Sequence, residues 1–293
     1  MAEETADKVE DRIQDAVGFV LHSALLVPYF SWQRSHAIHH SRTNHVTEGE
    51  THVPKRAATA EGLRTLAVRR RLGSPLHGAV TIASRLGFGW PVYLLVGSTG
   101  GPDRGATNHF WPLRPFASSL FPARWHRRIW ASLGGVVVVV AMLTWWAVAR
   151  GPGEVLALYV GPYFVVNAWL VTYTWLQHTD ADVPHFDSGQ WSFVAGAFCS
   201  VDRPYSKVAD LLHHRIGTTH VAHHLDAKIP HYHAVKATEA IAKAYPHLYR
   251  YNPMPVRKAL WHVATNCLAV SQTDDGWRFS DETVSVGSDA RHG

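Results

Sequence analysis

Apolar positions are spread unevenly along the chain. Ile129 to Val148 (IWASLGGVVVVVAMLTWWAV) runs 20 residues and Val155 to Leu176 (VLALYVGPYFVVNAWLVTYTWL) runs 22, each without a charged side chain. A helix needs about 20 residues to cross a hydrocarbon core. The pattern therefore predicts two spans, over about 129–148 and 155–176. Between them, Ala149 to Glu154 contains Gly151-Pro152-Gly153, which reads as a tight turn between antiparallel helices. Two shorter apolar stretches fit spans less well. Val17 to Phe30 is 14 residues long and holds His22 and Pro28; Leu86 to Gly97 is 12 and holds Pro91. These predict interfacial, re-entrant or buried elements.

Charge sets a direction on this pattern. Arg124, Arg127 and Arg128 precede the first span, whereas the turn carries only Arg150. The excess of basic residues predicts that Arg124 to Arg128 face the cytoplasm and the turn faces the lumen. One round trip then returns both flanks of the hairpin to the cytoplasmic side. The run Arg69-Arg70-Arg71, with Lys55, Arg56 and Arg64 nearby, suits an anionic leaflet. The net charge of +5 does not indicate nucleic-acid binding, since the basic residues are scattered among apolar segments without a reader motif. Cys199 and Cys267 lack the spacing of a disulfide scaffold or a metal site. Residues 1–16 are polar and resemble neither a secretory signal nor a transit peptide. Residues 271–293 read as an exposed tail.

The chemistry lies in histidine. His36-Ala-Ile-His39-His40 and His220-Val-Ala-His223-His224 each place three imidazoles at i, i+3 and i+4, one face of a helix. Scattered surface histidines account for many of the 21 in the chain, but poorly for two HxxHH arrays joined by a membrane hairpin. Zinc in a protein site takes about four ligands, so six histidines favour two metals, though imidazole alone does not name the metal. His178 stands two residues beyond the second span, where the chain emerges on the same face as the clusters, and joins them as a candidate ligand. His214, one and a half turns before His220, is a weaker candidate because Gly217 interrupts any continuous helix. Asp202 or another carboxylate in the loops after His178 is suited to orienting a ligand imidazole. The expected fold is all-α: an integral membrane helical protein with a cytoplasmic, histidine-rich helical cap.

These residues resemble the membrane-bound fatty acid desaturases, specifically the omega-6 (delta-12) and omega-3 branch. The resemblance is carried by LHSALLVPYFSWQRSHAIHH (Leu21–His40), GETHVPK (Gly49–Lys55), WLQHT (Trp175–Thr179), VPHFDS (Val183–Ser188), VDRPY (Val201–Tyr205) and THVAHHLDAKIPHYHAVKATEAI (Thr219–Ile241). It covers about 17–270 as one desaturase-like domain. It implies two iron ions, O2 as co-substrate, and electrons from NADH delivered by cytochrome b5 and its reductase. It also implies a multi-pass endoplasmic reticulum protein acting on a lipid-linked acyl chain. By resemblance, His36, His39, His40, His220, His223 and His224 match the second and third histidine boxes, and His178 the extra histidine beyond the last span. No catalytic residue beyond the metal ligands is assigned.

The chain departs from the branch at three places. An H-E-C-G-H-like first box and two further spans usually precede the region matching Leu21, where residues 1–16 stand here. Asp180 replaces a histidine in LQHTH, and Arg215-Ile-Gly217 stands where an asparagine and an acidic residue are more usual. Three readings follow: a desaturase, a catalytically inactive homologue or partner of full-length desaturases, and an acyl hydroxylase, conjugase or acetylenase on the same scaffold.

Overall fold

The computed structural model describes residues 2–116 and 118–279, with side chains from Asp11 onward. Twelve α-helices are found among the described residues: α1 (Ala2–Ala24), α2 (Tyr29–Ser41), α3 (Ala60–Leu72), α4 (Ser74–Val96), α5 (His126–Arg150), α6 (Pro152–Val155), α7 (Gly161–His178), α8 (Phe193–Ala197), α9 (Lys207–Leu212), α10 (His220–Leu225), α11 (His231–Ala244) and α12 (Val256–Asn266). Three short strands accompany them, β1 (Lys55–Arg56), β2 (Ala269–Thr273) and β3 (Gly276–Phe279). The expectation of a helical fold holds, with this small sheet as an addition.

The chain divides into two compact units, the first comprising residues 1–38, 88–98 and 104–168. Its framework is the predicted hairpin. α5 ends at Gly151, whose φ of 94° lies where a side chain would be strained. Pro152 then opens α6, as suits a first helical position without an N–H to donate. α6 continues through a π turn, Leu156–Val160, into α7. Val137, Met142, Trp145 and Val148 of α5 and Leu156 and Leu158 of the return arm are all exposed. Such apolar outer faces suit lipid rather than water. Val17 to Phe30 forms the end of α1 and a 107° bend into α2, the shape of a broken span or re-entrant element. Asp15 holds that bend by accepting from Tyr29 Oη (3.0 Å) and Gln33 Nε2 (2.8 Å).

The second unit comprises residues 39–87, 99–103 and 169–293. Trp175 and Leu176, in the last turn of α7, pack against Ala259, Val263 and Ala264 of α12. A second cluster joins Val183, Cys199 and Val201. The helices here are short and punctuated by their own caps: the Ser192 and Ser206 hydroxyls accept from the backbone at Ala195 and Ala209. β1 pairs in parallel with β2, and β2 pairs antiparallel with β3 in the register Val270↔Phe279. Residues 271–279, expected within an exposed tail, thus belong to this hairpin; residues 280–293 lie outside the described residues.

Three helical stretches are long and apolar enough to cross a membrane: Ala123–Arg150, Pro152–His178 and Ser74–Val96. The first two extend the predicted spans. The third contains the shorter apolar run that begins at Leu86, and Arg85 hides its full 23-residue helix from a charge-free criterion. Its guanidinium lies over the ring of Trp175, 4.3 Å from the centroid.

Candidate metal centre

Three helical segments within the second unit carry histidines to one point. α2 delivers His39 in its last turn, α7 ends on His178, and α10 presents His220 and His224 one turn apart. His39 Nε2 is 3.1 Å from His178 Nε2, which is 2.9 Å from His220 Nε2, itself 3.0 Å from His224 Nε2. All four rings are buried. Nitrogens held about 2.1 Å from one ion at right angles would stand about 3 Å apart, so the donor set fits a metal. His39, His178 and His224 form one candidate trio. His40 and His223 face each other beside it, ring centroids 4.5 Å apart. His36 stands one turn before His40 on the same face of α2, its ring stacked on Trp32 at 4.7 Å. The histidines thus supply two sets of three, as a di-iron centre needs.

Burial favours the neutral imidazole, the form that binds a metal, at His223 and His224. Burial holds His224 well below the ordinary imidazole range, and the imidazoles of His220, His178, His39 and His40 push it further down. His223 is lowered by burial.

Second contacts orient the rings. Thr43 Oγ1 lies 3.0 Å from His224 Nδ1, and Trp191 Nε1 donates to the Thr43 carbonyl (2.8 Å). Gly196 permits that approach, since a Cβ there would stand 2.3 Å from the Thr43 carbonyl oxygen. Asp202 does orient His220, but by a different route from the one expected. Its Oδ1 accepts from the backbone N–H of His220 (2.7 Å) and Val221 (3.1 Å), capping α10 instead of touching an imidazole. Its Oδ2 accepts from Tyr249 Oη at 2.9 Å. Burial raises the Asp202 carboxyl to about 6, against the lowering effect of those three donors.

His214 is not brought to this centre. It is exposed, with φ 52°, and its ring lies against His231 at 4.5 Å. The neighbouring Arg215 is also exposed, so its charge points outward. Asp180 forms a buried ion pair with Arg203 and accepts from Asn252 Nδ2 at 2.7 Å. Arg203 also donates to the Leu176 carbonyl, 3.0 Å away, which ties the end of α7 to the strand-like segment at Val201–Arg203. Thr43, Tyr249, Arg203 and Asn252 were not anticipated. Only the HxxHH spacing signals the site locally; these partners come from distant sequence.

Long apolar helices and buried, converging imidazoles mark a multi-pass membrane protein with histidine clusters able to hold a metal. The model of the family described as "Fatty acid desaturase" matches residues 4–254. The chain is 39% identical over 274 residues to the delta(12)-fatty-acid desaturase of Vernicia fordii, covering 94% of this chain and 68% of that protein. It is 40% identical over 258 residues to an omega-6 fatty acid desaturase, endoplasmic reticulum isozyme 2, of Glycine max (88% and 65%). The oleoyl-12-hydroxylase of Ricinus communis is 38% identical over 262 residues (89% and 65%). The chain spans about two thirds of the length of these relatives. It belongs to the fatty acid desaturase family, closely related to the delta-12/omega-6 branch.

Proposed function

We propose that this chain is a fatty acyl desaturase of the omega-6 (delta-12) or omega-3 type, introducing a cis double bond into a lipid-linked acyl chain. The observation that carries the reading is the convergence of buried imidazole nitrogens from His39, His178, His220 and His224 in a chain of this family. One ion would be held by His39, His178, His220 and His224, and a second by His36, His40 and His223. His214 is left out of both sets.

Bound iron supplies the redox chemistry that zinc lacks, allowing two hydrogens to leave an unactivated methylene pair while O2 is reduced to water. The balance is one acyl CH2–CH2, one O2, two electrons and two protons giving one CH=CH and two waters. NADH, through cytochrome b5 reductase and cytochrome b5, is the electron source for this reading. The protein's own contribution is to hold the imidazoles neutral and turned inward, with Thr43 and the Asp202 cap fixing α10. The apolar hairpin brings the lipid phase to His178, since α7 ends on that residue. The name of the Glycine max relative favours the endoplasmic reticulum, and Arg124, Arg127 and Arg128 around the start of α5 favour the histidines on the cytoplasmic side.

A second reading, acyl hydroxylation on the same scaffold, is favoured by the identity to the Ricinus communis enzyme. Expression of the full chain in yeast that makes no polyunsaturated lipid, followed by mass spectrometry of the fatty acids, separates the two. A dienoic product is expected, and a hydroxy acid would select the second reading. Stable membrane expression with no new product, and fewer than about two irons per purified chain, would overturn both and leave a non-catalytic homologue.

A further inference from the structure

We propose that α3 and the N-terminal half of α4 form a membrane-surface platform that binds the headgroups of anionic lipids. The inference uses the membrane character of the chain and is independent of its chemistry.

The depth of α4 follows from two contacts with α7. Arg85, at the middle of α4, stacks on Trp175 in the last turn of α7. Five residues later in α4, the Trp90 N–H donates to Asn167 Oδ1 (3.0 Å), earlier in α7. The two helices therefore run antiparallel, with Arg85 level with the end of α7. Trp175 is three residues from His178, about 4.5 Å along the axis. Arg85 thus marks the plane where α7 leaves the hydrocarbon, not the bilayer centre. An arginine over a tryptophan ring suits that plane. Beyond it, Leu86 to Val96 descends about 16 Å, roughly half of a hydrocarbon core of about 30 Å. The other half, Ser74 to Ser84, remains at or above the headgroups, despite the full helix being long enough to span.

That emergent half continues through Gly73 into α3. Leu63, Val68 and Leu72 of α3 and Leu76 and Val80 of α4 are all exposed, between 38% and 55%. Arg64, Arg70 and Arg71 are exposed among them. The charge is one-sided: from Ala60 to Arg85 the sequence holds five arginines and one carboxylate, Glu61, which is paired with Lys55 at 2.7 Å. Exposed apolar and basic side chains interleaved along these two helical segments are poorly served by water. Headgroups serve both, since the apolar groups enter the acyl boundary while guanidinium forks take phosphate or carboxylate. Anionic lipid is favoured over neutral lipid because no acidic side chain on α3 other than Glu61 offsets the arginines.

The test compares the full chain with an R64Q/R70Q/R71Q variant after reconstitution in phosphatidylcholine containing one fifth phosphatidylserine, reading retained lipids by native mass spectrometry. R257Q/K258Q, on α12, serves as a control that removes positive charge elsewhere. The wild type and control should retain phosphatidylserine several-fold above the bulk ratio, and the triple variant near it. Retention at the bulk ratio by the wild type, or equal enrichment in the triple variant, overturns the proposal. A spin label at Leu63→Cys in a C267S background provides a second measurement that does not depend on the arginine variant. Faster relaxation by lipid-soluble oxygen than by an aqueous nickel chelate is expected; the reverse overturns it. Neither readout requires turnover, so loss of the desaturase reading would leave this result intact.

Discussion

Thr43 Oγ1 stands 3.0 Å from Nδ1 of His224 and 2.7 Å from the carbonyl oxygen of His39, which links the two histidine-bearing helices α2 and α10 through one hydroxyl. The hydroxyl has one proton, and the shorter contact takes it to the His39 carbonyl. Its oxygen is then free to accept Nδ1–H of His224, leaving the Nε2 lone pair of that ring for a metal. Thr43→Val keeps the shape and removes the acceptor, so metal affinity should fall by about 10- to 100-fold. Thr43→Ser should retain most of it. Competitive chelator titration of the purified chain measures both, and equal affinities for wild type and Thr43→Val would refute the role.

The two histidine sets also predict which substitutions matter. His178→Ala and His220→Ala each remove a nitrogen from the convergent group and should reduce bound iron by about one or more per chain. His214→Ala, exposed against His231, should leave the iron content unchanged. Elemental analysis of the three variants decides the point. Loss of iron in His214→Ala would return that residue to the ligand set.

The elements that could be read from the sequence are those with a local cause. Two HxxHH arrays fix a face within a single helix, and the charge-free runs before and after Gly151 mark a hairpin by length alone. His178 was legible because it follows the second run directly. The helix α4 was obscured because Arg85 looks prohibitive until Trp175 is placed beneath it, 90 residues away in sequence. The cap on α10 was misread for a related reason. A carboxylate near ligand histidines suggests an imidazole partner, yet Asp202 meets the backbone N–H groups that every helix start leaves unpaired. Nothing local distinguishes those two uses of one side chain.

Asp180 illustrates a residue whose identity is set by a remote partner. Its branch relatives' usual histidine would suggest that Asp180→His is harmless or restorative. In this fold it removes the one carboxylate paired with Arg203 among the described residues, and that arginine is 1% exposed and fixed to the Leu176 carbonyl. A stranded buried charge costs about 3–5 kcal/mol. Asp180→His should therefore lower the thermal stability of the detergent-solubilised chain sharply, as should Arg203→Met. The double substitution of Asp180→Leu with Arg203→Met should recover part of the loss, because neither charge is then left alone. Additive losses in the double variant would show that the pair is not coupled.

His109 provides the pH signature of the first unit. It is fully buried, between the Leu94 carbonyl (Nδ1, 3.3 Å) and the Ser35 hydroxyl (Nε2, 3.1 Å). Burial lowers it to about 3, with the Leu94 bond opposing that shift. Above the ordinary imidazole value of about 6.5, folded and unfolded chains both carry it neutral, and its contribution is complete. As pH falls below that value the unfolded chain takes up a proton that the folded chain refuses, so stability is lost progressively down to about 3. One such group contributes a slope of up to about 1.4 kcal/mol per pH unit. His109→Gln keeps a donor and an acceptor but cannot titrate. Between pH 7 and pH 5 the wild type should lose on the order of 2 kcal/mol more than this variant, measured by denaturant unfolding in detergent. A wild-type-to-variant difference that stays constant across that range would mean that His109 is not held neutral by the fold.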